Sequence, residues 1–157
     1  MTYVSFFRTR EDVLAPVRAH SSDAGCDVFF CPADGKEIDL GTNQSHLFQT
    51  GLKAGIPHGY MLQVCNRGSM GAKKSLVVGA HIIDSGYSGE ILVDLHNIGI
   101  RIQTIKPGDK IAQLVMVPVI HFIPLMANKE ESLYGTEQIT MSDRGEGRLG
   151  SSDKNVK

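Results

Sequence analysis

Glycine and proline interrupt this chain at short intervals, and that spacing constrains its fold more than any other feature. Seventeen glycines and six prolines fall within 157 residues. Between them lie short runs rich in β-branched and aromatic residues: Tyr3 to Phe7, Cys26 to Phe30, Gly59 to Cys65, Gly89 to Asn97, and a longer run from Ile111 to Ile123 that Pro118 interrupts. Many short strands separated by turns predict an all-β sandwich or barrel. Within Glu90 to Asn97, Ile91, Val93 and Leu95 alternate with Glu90, Asp94 and His96, and Leu92 breaks the alternation. That pattern predicts a strand with one buried face and a second face partly covered. Helical periodicity is nearly absent; a short helix around Lys129 to Tyr134 is the best candidate.

A length of 157 residues suits one domain, and 41% apolar content permits a packed core. The formal net charge of -1 argues against a broad nucleic-acid footprint, which needs a surplus of Lys and Arg. A local cationic pocket is still compatible with it. Cys26, Cys31 and Cys65 are odd in number and lack CxxC spacing, as expected of a reduced chain in the cytoplasm or another cell interior, a host's if the source is viral. No run approaches the ~20 apolar residues of a membrane helix, and no apolar stretch follows a basic start, so neither a membrane span nor a signal peptide is expected. From Thr140 onward Gly, Ser and charge dominate. Residues 1–139 are therefore read as the β domain and 140–157 as a flexible arm. Such a tail is either frayed or ordered only over a ligand. Arg144, its glycines, Ser151 and Ser152 suit an anion.

Four further segments carry polar groups that chemistry could use. Asn66-Arg67-Gly68-Ser69-Met70-Gly71 combines small residues with a fixed charge, which suits an anion; a simple loop explains it equally. Asp84-Ser85-Gly86 is an ordinary turn signal, yet a carboxylate at a strand end can also act as general base on water. Tyr87 offers a flat face for a sugar or base. Lys106-Pro107-Gly108-Asp109 reads as a turn entering a strand in which Gln113 is the only polar side chain from Ile111 to Val117, so a buried partner is expected for it. Asp23 and Asp27 flank a glycine; they are either solvated acids, or Asp27 orients an arginine or metal-bound water.

Taken in order, these segments resemble the motifs of the all-β homotrimeric dUTPase family over nearly the whole chain. Asp23-Ala24-Gly25-Cys26-Asp27-Val28 is similar to A-G-x-D-L, and Asn66 to Gly71 to P-R-S-x-x-G. Ile83-Asp84-Ser85-Gly86-Tyr87-Ser88-Gly89-Glu90 resembles I-D-x-x-Y-x-G-E, and Gly108-Asp109-Lys110-Ile111-Ala112-Gln113-Leu114 resembles G-D-R-I-A-Q-L. Arg144 to Ser152 is similar to R-G-x-G-G-F-G-S. The third and fourth are the specific ones. The resemblance implies a distorted jelly-roll, or β-clip, barrel of short strands whose C-terminal arm closes over a shared active site.

The activity it implies is hydrolysis of dUTP to dUMP and pyrophosphate with Mg²⁺. Asp84 would be the general base. Tyr87 would pack under the deoxyribose and exclude a 2′-hydroxyl. Backbone groups of Ala80, His81, Ile82 and Ile83 would read uracil. Arg67, Ser69 and Gln113 would hold phosphates, with Gly68, Gly71 and Leu92 also lining the substrate. Arg144, Leu149, Gly150 and Ser151 would close over it, and Asp27 would contact Arg144 or the metal's water shell.

The chain departs from these motifs at several positions. Asn66 and Gly68 stand where the family has Pro and Ser, with Ser69 one place later. Arg148 stands in place of a glycine, and Leu149 in place of the aromatic that stacks on uracil. Ala80-His81 and Asp94 are similar to features of the sister dCTP deaminases, which leaves a deaminase or a bifunctional deaminase–diphosphatase as one alternative. A non-catalytic nucleotide-binding regulator is another.

Overall fold

The strand-rich pattern resolves, in the computed structural model, into eleven strands and one helix among the described residues, which are 2–129 and Ser132. In chain order these are β1 (Ser5–Arg8), β2 (Gly25–Phe29), β3 (Ile38–Leu40), β4 (Ser45–Gln49), β5 (Leu52–Gly55), β6 (Tyr60–Cys65), α1 (Gly68–Lys74), β7 (Leu76–Val78), β8 (Ile82–Asp84), β9 (Leu92–Asn97), β10 (Gln103–Ile105) and β11 (Lys110–Pro118). All pairings between these strands are antiparallel. A four-stranded sheet runs β2-β11-β6-β8 and a three-stranded sheet β4-β9-β7; β1-β5 and β10-β3 form two-stranded pairs. This is an all-β, jelly-roll-like fold.

The core follows from side-chain alternation. Val28, Leu62, Val64, Ala112 and Leu114 are buried on one face of the larger sheet, while Phe48, Leu76, Val93 and Leu95 are buried on the smaller one. Phe30 meets Phe48 edge to face with centroids 5.0 Å apart, which ties the end of β2 to β4. Strand β9 shows the expected parity: Val93 and Leu95 are inside, and Leu92, Asp94 and His96 face outward. Buried Asn97 is fully engaged, donating to the Leu40 and Arg101 carbonyls and accepting from Gly99 N–H.

Strand β11 carries the irregularity that matters most. Its register against β2 shifts between Lys110 and Ala112, so Lys110 lies opposite Phe29 and Gln113 opposite Asp27. Ile111 and Ala112 are consecutive and both fully buried, the signature of a bulge. In a regular strand, residues three apart face opposite sides. Here the extra residue brings Lys110 and Gln113 to the same outward face as Asp27. The Lys106–Asp109 turn feeds this strand as expected: Asp109 N–H donates to Lys106 O at 3.0 Å, and Gly108 takes the positive φ of 87° that a side chain would resist.

Three expectations shift. The first strand begins at Ser5 rather than Tyr3, and the run expected to reach Ile123 ends as a strand at Pro118, opposite Tyr60, where its partner β6 begins. The segment Asn66–Gly71, expected as a loop, leads into helix α1. Most of the candidate helix at Lys129 to Tyr134 lies outside the described residues; at its start Ser132 N–H donates to Lys129 O at 3.1 Å. A division of the chain falls between His121 and Phe122. The Thr140 boundary lies outside the described residues. Cys26, Cys31 and Cys65 carry free thiols. No helix among the described residues is long and apolar enough to cross a membrane.

Candidate active site

The outward face of the larger sheet gathers most of the polar residues singled out above. Gln113, at the centre, is flanked by Asp27 on β2 and Cys65 on β6, and paired residues of an antiparallel ladder share a face. Along β6 the same parity continues through Gln63, opposite Ile82, to Met61, opposite Asp84. Asp84 thus ends the outer strand β8 on the face that presents Gln113 and Asp27. Its carboxylate is exposed, and Tyr87 N–H closes the following turn on Asp84 O at 3.0 Å.

Asp27 organises the cationic part of this face. Arg67 Nε donates to Asp27 Oδ1 at 2.7 Å, and Lys110 Nζ lies 3.0 Å from Asp27 Oδ2. Arg67 also reaches Lys110 O at 3.3 Å and Ser69 Oγ at 3.4 Å. Burial pushes the Asp27 carboxyl upward. The hydrogen bonds from Lys110 and Arg67, with their charges, outweigh burial and hold it below its ordinary value of 3.8. Two cations on one carboxylate leave a net positive charge, which suits phosphate oxygens. Of the two partners expected for Asp27, an arginine is present, and it is Arg67. Arg144 lies outside the described residues.

Gln113 has the partner its sequence context demanded. Its Nε2 donates to Asn66 O at 2.9 Å, and its Oε1 lies over Gly25, where a Cβ would approach to 2.8 Å. Asn66 is itself built in. Its Nδ2 donates to Leu76 O at 3.1 Å and its Oδ1 accepts from Val78 N–H at 2.6 Å, so one amide mimics a strand partner for β7. That contact accounts for an asparagine here: proline has no side-chain amide to supply it. Arg67 is the N-cap residue of α1, with extended backbone, and Gly68 opens the helix with nothing within 4 Å of a Cβ placed there. Gly71 packs against the Asn66 amide. Short as it is, α1 buries only Met70 and ends at Ser75, which takes φ 54°.

The segment 79–90 supplies the remaining groups. His81 O accepts from Val64 N–H at 2.7 Å and His81 Nδ1 lies 3.0 Å from Val64 O, fixing the stretch from Ala80 against β6. Ile83 turns inward, while Ile82 is 64% exposed beside Asp84. Tyr87 folds back so that its hydroxyl donates to Glu90 O at 3.0 Å. Leu92 stands apart from this group, on the outer face of the smaller sheet. So does Asp94, whose Oδ2 pairs with His96 Nε2 at 3.0 Å. Arg144, Leu149, Gly150 and Ser151 lie outside the described residues. Sequence reasoning assigned no role to Lys110, Glu90 or the Asn66 side chain. Lys110 had a signal in its motif position, but its direction depends on the bulge.

A family model described as dUTPase matches residues 11–152 of the chain. The chain belongs to the dUTPase family. It is 35% identical over 150 residues to the deoxyuridine 5′-triphosphate nucleotidohydrolase of Cronobacter sakazakii, covering 94% of this chain and 91% of that one. It is 33% identical over 154 residues to the protein of the same name from Mycobacterium sp. (strain JLS), covering 96% and 95%. Among solved structures, the dUTPase from phage phi11 of S. aureus superposes with a TM-score of 0.72 at 25% identity, over 83% of this chain and 99% of that chain. The Staphylococcus bacteriophage 80alpha dUTPase G164S mutant with dUpNHpp gives 0.74 at 24% identity, over 97% and 99%, a likeness of fold. The family match over residues 11–152 takes in the sheet face, the 79–90 segment and the glycine-rich tail alike.

Proposed function

We propose that this chain hydrolyses dUTP to dUMP and pyrophosphate, with Asp84 as general base. The observation that carries this reading is the shared sheet face, which presents an exposed carboxylate beside the start of β6 and, beside the end of β6, a cation cluster that can hold a polyphosphate. Asp84 accepts a proton from water aimed at the α-phosphorus. Arg67 and Lys110 offset negative charge on the phosphates, and Ser69 and the Gln113 amide orient them. Tyr87 packs under the deoxyribose and leaves no room for a 2′-hydroxyl, while backbone groups of Ala80 to Ile83 meet the uracil edge. The tail residues Arg144, Leu149, Gly150 and Ser151 close over the substrate and exclude water. The active sites are shared between subunits of a homotrimer; Ile98, Ile100 and Ile102, all more than half exposed in the single chain, are apolar surface that assembly would cover.

The donor set fits Mg²⁺. No group of three or more His, Cys, Asp or Glu side chains that could cage a metal occurs among the described residues. Mg²⁺ retains waters and binds substrate phosphates with one or two carboxylates. Asp27 would contact its water shell through lone pairs that Arg67 and Lys110 leave open. When bound, the ion neutralises charge on the triphosphate.

The test is pyrophosphate release from dUTP, dCTP, dTTP and UTP with Mg²⁺, alongside ammonia release from dCTP, for the unaltered protein and Asp84→Asn. Expected are dUTP cleavage alone, no ammonia, and a variant that binds dUTP without turnover. Near-normal turnover by Asp84→Asn removes Asp84 as base; ammonia release favours the deaminase; binding without cleavage in the unaltered protein favours the regulator.

A further inference from the structure

The geometry points to Glu90 as a positioning residue that sets the sugar selectivity of the site through Tyr87, an inference that rests on Tyr87 packing under the deoxyribose. Three contacts converge there, two within the segment from Tyr87 to Glu90 and one from Gly51. Glu90 Oε1 accepts from the N–H of Gly51 at 2.7 Å across a separation of 39 residues. The Tyr87 hydroxyl donates to the Glu90 carbonyl at 3.0 Å. The Tyr87 ring lies on Gly89, where any Cβ would collide with the ring and its hydroxyl. The ring is therefore seated before any ligand arrives, against a carbonyl whose own position depends on a distant turn.

That turn is rigid. Gly51 holds φ 68°, and a Cβ on it would strike Val13. Thr50 is buried, donates from Oγ1 to Ile91 O at 2.6 Å and accepts from Leu52 N–H, while Ile91 N–H donates to Leu52 O at 2.8 Å. The anchor therefore sits on both sides of Glu90: its carboxylate on Gly51, and its chain neighbour Ile91 on the same turn. Tyr87 itself is 47% exposed, so core packing does not fix its ring. Excluding a single hydroxyl requires a surface placed to a fraction of an ångström. The link from Glu90 to Gly51 supplies that precision at a residue that touches neither base nor phosphate. An acceptor oxygen is what the contact uses, so an uncharged amide oxygen at the same reach would serve as well.

The experiment compares Glu90→Ala, Glu90→Gln and Glu90→Asp with the unaltered full chain, measuring kcat/KM for dUTP and UTP and hydrogen exchange of the Gly51 amide. Glu90→Ala is expected to lower the dUTP-to-UTP ratio on the order of 10–100-fold, the scale of a 1 Å misplacement, with faster Gly51 exchange. Glu90→Gln keeps the ratio and the protection. Glu90→Asp, one methylene too short to reach, behaves like Glu90→Ala and carries the test if the alanine variant does not fold. Equal losses on both substrates, with the ratio unchanged, overturn the inference and leave Glu90 a fold support. Loss of selectivity in Glu90→Gln overturns it too, because charge would then be what matters. If the unaltered protein cleaves UTP as readily as dUTP, the sugar reading of Tyr87 falls first, and this inference with it.

Discussion

Replacing Asp27 by Asn removes one charge at the centre of the site and nearly nothing else. The carboxylate is 14% exposed, with Arg67 Nε at 2.7 Å on one oxygen and Lys110 Nζ at 3.0 Å on the other. An asparagine can accept on one side only; its NH₂ faces a second donor on the other. One cation is then left without its partner and repelled by its neighbour. Hydrogen bonds involving charged groups contribute about 1.5–3 kcal/mol each. Arg67 and Lys110 are 25% and 35% exposed, and water partly compensates whichever is released. The net loss is therefore placed near the low end, about 2 kcal/mol at neutral pH. With a urea slope of about 2 kcal/mol/M, the midpoint falls by about 1 M, at one fixed protein concentration.

The pH dependence is the sharper check. Asp27 is held below 3.8 in the folded chain, so its ionised form stabilises the fold above that pH. The contribution disappears as pH falls from 3.8 through the lower folded value. The gap between unaltered protein and Asp27→Asn should be constant from pH 7 to about 5 and narrow below 3.8. Urea melts followed by circular dichroism at several pH values measure it. A gap under about 0.5 kcal/mol at pH 7, the scale of an ordinary surface substitution, would refute the reasoning. So would a gap that does not change with acid.

Three further outcomes follow from the same geometry. Gly68→Ser should fold normally, since no atom lies within 4 Å of its Cβ, and should raise kcat for dUTP if the family's serine hydroxyl acts at that position; an unchanged kcat would show that Ser69 already fills the role. Asn66→Ala strips the amide that bridges to Leu76 and Val78, and should cost about 1–3 kcal/mol in thermal or urea unfolding, the penalty for an unmade hydrogen bond to a part-buried group. Leu149→Phe should tighten dUTP binding by calorimetry, by up to about 1–3 kcal/mol if the ring stacks on uracil; unchanged affinity would exclude stacking there.

Much of this arrangement could be read from the residues, and the unreadable parts share a cause. Turn chemistry is local, so Lys106–Asp109 was legible, and so was Asp84 at a strand end. The partner of Gln113 could be anticipated because a polar side chain in an apolar strand has to be satisfied. Helix α1 was not legible: Gly68–Lys74 buries only Met70, so it has no apolar stripe, and it stops at Ser75 without the glycine that usually marks such an end. What holds it in place is a side chain outside it, Asn66, bonded to a strand after it. Several three-residue strands, such as β3 and β10, are too short to show any period and exist through pairing alone. The links Asp27–Arg67 and Glu90–Gly51 span 40 and 39 residues, beyond the reach of local patterning.

The bulge in β11 has a consequence for how this segment tolerates change in length. Lys110 and Gln113 share a face only because one extra residue lies between them. Removing either Ile111 or Ala112 would restore regular alternation and leave Lys110 two positions before Gln113, still on the outward face opposite Phe29. Asp27 would keep both of its cations, and the loss would be one side chain from the buried pair Ile111 and Ala112. A one-residue deletion in the regular part of the strand, from Leu114 to Met116, inverts the face presented by every residue on one side of it, whereas a deletion at the bulge does not. In a library of random variants, codon deletions at 111–112 should therefore be depleted less strongly than codon deletions at 114–116.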